Sequence, residues 1–184
     1  MKMGNTIGID SQLLTYLLDA MIPSYDPLTD KGRLFPVRQA MLRIYFYTGH
    51  SFYILPTVQD EYLTISDPAR RKAHERVHEI MLLDITMALD PDAIRERKEH
   101  FSTFHYGEKD QNDCQILAEA EIAGLSTFLT IDGDFYNHLH TKTESVNLLY
   151  PGEFWESLNI PKGMQPTIIP DSTNPLHRKD WWKW

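Results

Sequence analysis

The sequence predicts an α/β fold in which helices cover both faces of a central parallel sheet. Short apolar segments with the character of buried strands alternate along the chain with segments of helical period, and this alternation is typical of parallel sheets. The length of 184 residues suits one domain with a sizeable core. We expect that domain to span residues 1–158, followed by a tail at residues 159–184 that contains prolines and tryptophans.

Composition excludes several classes of protein. The formal net charge of −8 argues against a protein that holds nucleic acid through its overall charge, so any such contact would be local. The single cysteine, Cys114, excludes an internal disulfide and is expected to be a packed thiol rather than a nucleophile. The N-terminus lacks a signal-peptide pattern, and no apolar run approaches the roughly 20 residues of a membrane span. We therefore expect a soluble cytoplasmic protein with no membrane partner.

The first half of the chain alternates strand and helix patterns, with turn residues between them. Pro36 is well suited to open a helix, and Gly49 to end it, while Arg38 and Arg43 are expected on that helix's exposed side. The predicted segments are a strand at 6–10, a helix from Ser11, a loop at 23–34, a helix from Pro36 to about Gly49, a strand at 51–55, and a helix from an N-cap at Thr57 to Ile65.

The second half repeats the alternation. Asp67 and Asp90 each precede a proline, which is the N-cap and first-position pattern of a helix. Residues 80–89 are apolar but ambiguous in period. The remaining predicted segments are a helix capped by Asn112 and ended by Gly124, a strand at 125–130, a last strand at 146–150, and a short helix after Pro151. The tryptophans near the C-terminus are expected to dock on the body or on a second subunit.

Four acids stand where functional groups gather in this fold class. Asp10, Glu61, Asp113 and Asp132 each follow a predicted strand or lie in the first turn of a nearby helix, and sites in parallel sheets form at the carboxyl ends of the strands. Carboxylates held close together repel each other unless a cation neutralises them. An all-oxygen set favours Mg²⁺ or Mn²⁺ over zinc, and such ions can promote phosphodiester hydrolysis.

The same positions carry a resemblance to the PIN-domain nucleases, and among them to the VapC-type toxin ribonucleases. The resemblance runs from about Thr6 to Leu158. The matching stretches are Ile-Gly-Ile-Asp-Ser at 7–11 with Leu14, Glu61, Asn-Asp-Cys-Gln-Ile-Leu-Ala-Glu-Ala at 112–120, Leu-Thr-Ile-Asp-Gly-Asp-Phe at 129–135, and the closing turn Pro151–Phe154.

This resemblance implies a single PIN-like domain that is a Mg²⁺- or Mn²⁺-dependent endoribonuclease. By position, Asp10, Glu61, Asp113 and Asp132 correspond to the catalytic, metal-binding acids, Asp134 is an auxiliary acid, and the Thr130 hydroxyl helps to orient the site. Our hypothesis is that Asp10 and Asp113 hold the main ion, that Asp132 completes its shell or binds a second ion, and that Glu61 orients a water. Gly133 could present either Asp132 or Asp134, and we favour Asp132.

The resemblance also suggests partners. RNA is the expected substrate, and a toxin of this type would be held inactive by a small separate antitoxin protein. Whether the active unit is a homodimer stays open. Arg70, Arg71 and Lys72 form a basic cluster that is most simply a solvated helix face, with contact to RNA phosphates as the functional interpretation.

Two other functions compete with the nuclease. One is a phosphohydrolase with an aspartyl nucleophile, but that chemistry normally needs a second aspartate two residues after the first, and Gln12 occupies that place. The other is a non-catalytic PIN-like domain that binds RNA or assembles with proteins. Metal binding would separate the second alternative from both enzymes.

Overall fold

The computed structural model describes residues 6–21, 34–85, 89–104 and 111–184, and five strands and eight α-helices lie within these ranges. The strands form one parallel sheet in the order β3-β2-β1-β4-β5. The elements are β1 (Ile7–Ile9), α1 (Ser11–Met21), α2 (Leu34–Thr48), β2 (Phe52–Ile54), α3 (Pro56–Leu63), α4 (Pro68–Met81), β3 (Leu82–Asp84), α5 (Pro91–Ser102), α6 (Gln111–Ile122), β4 (Thr127–Leu129), α7 (Gly133–Leu139), β5 (Asn147–Leu149) and α8 (Pro151–Ser157).

The strand order places helices on both faces of the sheet. From β1 the chain steps outward to β2 and β3, then crosses back to β4 and steps outward again to β5. Since parallel crossovers are right-handed, the helices of the first two connections lie on one face and those of the last two lie on the other. In agreement, α1 packs against α2 and α4 while α5 packs against α6; α3, which begins directly after β2, contacts both α1 and α6. The predicted fold class is confirmed.

The central strand β1 and its neighbour β4 lie in the middle of the core. Every residue of both strands is buried, and Gly8 pairs with Phe128 across the ladder. A Cβ atom at Gly8 would come within 2.6 Å of the Phe128 ring and 2.8 Å of the Leu125 side chain. The absence of a side chain at Gly8 therefore lets the Phe128 ring pack directly on β1, two residues before Asp10.

Several local predictions are confirmed. Asp67 caps α4 and Asp90 caps α5, each accepting hydrogen bonds from two backbone N–H groups of the first turn. Gly49 and Gly124 follow the ends of α2 and α6 with positive φ values of 62° and 69°, a conformation that glycine adopts without steric cost. Cys114 is a buried thiol, as expected.

No element is predicted for residues 80–89, and the described part of this segment holds the end of α4 and the edge strand β3, whose three residues are too few to show a period. The predicted bounds of α3 are wrong, and a tertiary contact explains its start. Leu55, not Thr57, is the N-cap of α3, which ends at Leu63 rather than Ile65. Thr57 instead binds a carboxylate on α6.

Helices α2 and α6 also begin earlier than predicted. Helix α2 starts at Leu34, and the loop predicted at 23–34 otherwise lies outside the described residues. Arg38 is buried instead of exposed, with its guanidinium over the Tyr16 ring and 3.4 Å from Asp19. Helix α6 starts at Gln111, so Asn112 lies inside it and is not its cap.

The C-terminal tail packs along α2. Trp182 is 1% exposed and lies 4.6 Å from the Phe46 ring, centroid to centroid. Arg43 donates hydrogen bonds to the carbonyl oxygens of Trp182 and Lys183. None of the helices in the described ranges is both long enough and apolar enough to cross a membrane.

Candidate active site

Asp10 lies at the carboxyl end of β1 and is the most constrained of the predicted acids. Its side chain accepts a hydrogen bond from the Thr130 hydroxyl at 2.6 Å, one from the Leu13 backbone N–H at 2.6 Å and one from the Ile131 backbone N–H at 3.3 Å. Only 7% of the residue is exposed. The Asp10 carboxylate is thus fixed by the first turn of α1 on one side and by the end of β4 on the other.

Burial raises the pKa of the Asp10 carboxyl to about 6. The hydrogen bonds from Thr130, Leu13 and Ile131 oppose this shift because they stabilise the charged form. The negative charge of Glu61 raises the same pKa further. A positive charge near Asp10 would therefore stabilise this part of the site.

The site lies where the direction of chain connection reverses. β1 and β4 are neighbours in the sheet, but the chain leaves β1 toward one edge and leaves β4 toward the other. Ligands of open α/β sheets bind at such a point, outside the carboxyl ends of the strands. Thr130 joins the two strand ends, since its hydroxyl donates to Asp10 and accepts from the Asp132 backbone N–H at 3.0 Å.

Asp132 and Asp134 have different settings. Asp132 is the N-cap of α7, and its Oδ1 atom accepts from the backbone N–H groups of Asp134 at 2.8 Å and Phe135 at 3.0 Å. Asp134 is exposed in the first turn of the same helix. One oxygen of Asp132 is thus engaged in capping α7. This short helix is not among the elements predicted from the sequence.

Glu61 is positioned by two neighbouring elements. Its Oε2 atom accepts from the Ser11 hydroxyl at 2.7 Å, and its Oε1 atom accepts from the Asn112 side-chain amide at 3.3 Å. The residues beside Asp10 and Asp113 in the sequence therefore hold Glu61. The spacing of the acids gave no indication of these roles for Ser11 and Asn112.

Asp113 lies half-buried in the first turn of α6, next to the residue that binds Glu61. Within the described ranges, no three histidine, cysteine, aspartate or glutamate side chains are grouped closely enough to form a metal site by themselves. Two of the predicted acids, Asp10 and Glu61, are nevertheless close enough for their negative charges to repel each other. Thr130 also connects Asp10 to the turn that carries Asp132.

A cavity of about 730 Å³ lies beside Asp132 and Asp134, whereas Asp10, Glu61 and Asp113 are not among the residues that line it. Its volume falls in the range typical of small-molecule sites. Asp132 and Asp134 line it, together with Gln12 from α1, the start of α2, and the turn between β5 and α8. Arg70, Arg71 and Lys72 do not line it; they lie in the first turns of α4, where Arg71 donates to the Ile65 carbonyl oxygen.

Glu119 is a further residue that the sequence analysis did not single out. It is 4% exposed on α6 and accepts hydrogen bonds from the Thr57 backbone N–H at 3.1 Å and the Thr57 hydroxyl at 2.6 Å. This carboxylate fastens the start of α3, the helix that carries Glu61, to α6, the helix that carries Asp113. Residues 116–120 of α6 are all buried, so no periodic pattern distinguishes Glu119 from its neighbours.

Comparison of the sequence with models of protein families and with curated proteins gave no match.

Proposed function

We propose that this protein is a Mg²⁺- or Mn²⁺-dependent endoribonuclease of the PIN type. The observation that supports the proposal best is the hydrogen bond of 2.6 Å from Thr130 to Asp10. It ties the acid that follows β1 to the turn that carries Asp132 and Asp134, at the reversal point of the sheet and beside the 730 Å³ cavity.

The donor chemistry of this rim fits a hard divalent cation. Asp10, Asp113 and Asp132 offer carboxylate oxygens, and the buried Asp10 is destabilised in its charged form when no cation is near. Mg²⁺ often takes only one or two protein carboxylates and keeps several waters, so it does not require a closed cluster of three acids. A bound ion would activate water and stabilise the leaving oxygen of the phosphodiester.

The chain's own residues have separable roles in this proposal. Asp10 and Asp113 would hold the ion, and Asp132 would complete its shell or bind a second ion. Thr130 orients Asp10, since its hydroxyl is bonded both to that carboxylate and to the Asp132 backbone. Ser11 and Asn112 hold Glu61, whose carboxylate would orient the attacking water. Asp134, exposed at the cavity, acts as an auxiliary acid.

The proposed substrate is single-stranded or structured RNA. A chain with a net charge of −8 gains little from general attraction to phosphates, so recognition depends on the ion and on local contacts. A toxin with this activity requires control in the cytoplasm, and we propose a small antitoxin protein that covers the acidic rim.

Cleavage of an end-labelled RNA mixture tests the proposal. The purified protein is incubated with Mn²⁺, with Mg²⁺ or with chelator, alongside the Asp10→Asn and Asp113→Asn variants. Asp60→Asn is the matched control, because Asp60 is an exposed acid next to Glu61 and its loss changes the net charge equally. We expect metal-dependent products that fall at least about 100-fold in the two site variants and persist in the control.

Two results would contradict this proposal. One is the absence of cleavage with either metal, and the other is cleavage that both site variants retain. The first result, combined with no Mn²⁺ binding by calorimetry, favours a non-catalytic RNA-binding or assembly module. The specific observation behind that second candidate is that the described acids do not form a group of three.

A further inference from the structure

Three aromatic rings form a continuous stack that ends at the cavity beside the acids. The Tyr136 ring lies between the rings of His140 and Tyr150. Its centroid is 4.4 Å from that of His140, with an angle of 4° between the ring planes, and 4.2 Å from that of Tyr150, with an angle of 28°. Tyr150 also lines the cavity. Tyr150 is thus the member of the stack that a flat ligand ring in the cavity would contact.

The stack is held in place by polar contacts. Glu153 accepts from the Tyr136 hydroxyl at 3.3 Å through Oε1 and from the Tyr150 backbone N–H at 2.9 Å through Oε2. His140 is fixed by a hydrogen bond of 2.8 Å between its Nδ1 atom and the Tyr136 carbonyl oxygen. A ring fixed in this way loses little conformational entropy when a ligand stacks on it.

The other walls of the cavity suit a nucleobase. Pro36, Val37 and Ile131 provide apolar surface, while Gln12, Asp132 and Asp134 provide amide and carboxylate groups for the polar edge of a base. A volume of about 730 Å³ is large enough for a nucleotide. Aromatic side chains that stack on unpaired bases are the usual basis of single-stranded RNA binding.

We infer that this cavity binds one unpaired RNA base, stacked on Tyr150, next to the proposed cleavage site. The inference rests on the proposed function only in taking RNA as the ligand. It assigns to Tyr150 a role in substrate binding and gives a physical reason for a preference for single-stranded RNA, because a base inside a duplex cannot enter the cavity.

Binding of short oligomers without metal tests the inference separately from catalysis. A 5′-fluorescein-labelled hexaribonucleotide is titrated with protein in chelator at 150 mM salt, and fluorescence anisotropy gives Kd. An abasic hexamer of the same charge is the ligand control. We expect the ribonucleotide to bind at least about fivefold more tightly than the abasic oligomer, since stacking on one base contributes about 1–3 kcal/mol.

Variants of two tyrosines complete the test. Tyr150→Leu should raise Kd for the ribonucleotide by about 5- to 100-fold, while Tyr150→Phe, which keeps the ring, should change it less than about twofold. Tyr45→Leu is the matched control, because Tyr45 also stacks on an aromatic ring, Phe52, and lines a different cavity. Circular dichroism and thermal unfolding establish that each variant is folded.

The outcomes separate this inference from the proposed nuclease activity. Wild-type affinity in Tyr150→Leu, equal Kd values for the two oligomers, or no measurable binding of the ribonucleotide would overturn the inference, even if metal-dependent cleavage is found. Tyr150-dependent binding without any cleavage would support the inference and overturn the nuclease, leaving an RNA-binding domain.

Discussion

At the scale of single residues, Asp10 combines deep burial with several hydrogen bonds to its charged form. Burial is the larger effect, so its pKa lies at about 6 instead of 3.8. Thr130 is equally notable, since one hydroxyl serves both Asp10 and the backbone of Asp132. These two side chains determine where the carboxylate at the end of β1 lies relative to the β4–α7 turn.

The raised pKa of Asp10 predicts a loss of stability with rising pH in metal-free protein. Below about pH 3.8 the Asp10 carboxyl is protonated in both the folded and the unfolded protein. Between pH 3.8 and about 6 it is ionised mainly in the unfolded chain, and this difference favours unfolding. Above pH 6 the penalty is constant at about 3 kcal/mol. Urea unfolding of wild type and Asp10→Asn in chelator, from pH 3.5 to 7.5, measures this loss of stability.

We expect the free energy of unfolding of wild type minus that of Asp10→Asn to fall by about 3 kcal/mol over this range. Taking the difference between the two proteins cancels the titration of carboxylates that do not interact with Asp10, while the interaction with Glu61 remains part of the measured effect. A difference that stays flat, or that rises with pH, would show that Asp10 is not desolvated in the folded protein.

At the scale of elements, the contact between α3 and α6 positions two of the proposed catalytic acids. Glu119 on α6 binds the start of α3, and Asn112 on α6 binds Glu61 one turn further along α3. The N-terminus of α3 has no side-chain cap of its own at Leu55. A carboxylate from another helix provides this function, which local sequence patterns cannot reveal.

The Glu119→Ala substitution tests the importance of this contact. It leaves the Thr57 N–H and hydroxyl without their acceptor, and we expect the free energy of unfolding to fall by about 2–4 kcal/mol. Gln115→Ala, which removes a single hydrogen bond of 3.0 Å to the same carboxylate, should cost about 1 kcal/mol. Both values come from urea unfolding at pH 7. Equal stability of Glu119→Ala and wild type would contradict the assignment.

At the scale of the whole molecule, the C-terminal tail packs onto the α/β body. Trp182 is buried against Phe46 and donates its indole N–H to the Leu176 carbonyl oxygen at 3.1 Å. The tail backbone is also tied to α2, through Arg43 and through the Ile168 N–H, which donates to the Phe46 carbonyl oxygen at 2.9 Å. Folding of the body and docking of the tail should therefore occur together.

Replacement of Trp182 by alanine should destabilise the entire protein. Loss of a fully buried tryptophan costs about 3–5 kcal/mol, and because the tail and α2 share their contacts the unfolding transition should remain single. Ile169→Ala is the control, since Ile169 is 74% exposed in the same tail and should cost less than about 0.5 kcal/mol. Thermal unfolding measured by calorimetry distinguishes these results from a tail that melts independently.

The sequence by itself determined the fold class and the caps that lie within single elements. Alternating strand and helix patterns predicted the parallel sheet, and Asp67, Asp90, Gly49 and Gly124 act through groups a few residues away, so their roles can be read locally. The strand patterns also predicted that Asp10 would follow β1 and that Asp132 would lie just beyond β4. The metal, the RNA substrate and the family resemblance stay predictions.

Only the tertiary structure decided how those acids are held. The bonds from Thr130 to Asp10, from Ser11 and Asn112 to Glu61, and from Glu119 to Thr57 join residues 50 to 120 positions apart. The burial of Arg38 and of Trp182 likewise depends on which elements come together. Local patterns report interactions within one turn or one strand, whereas desolvation and long-range hydrogen bonds exist only after the chain has packed.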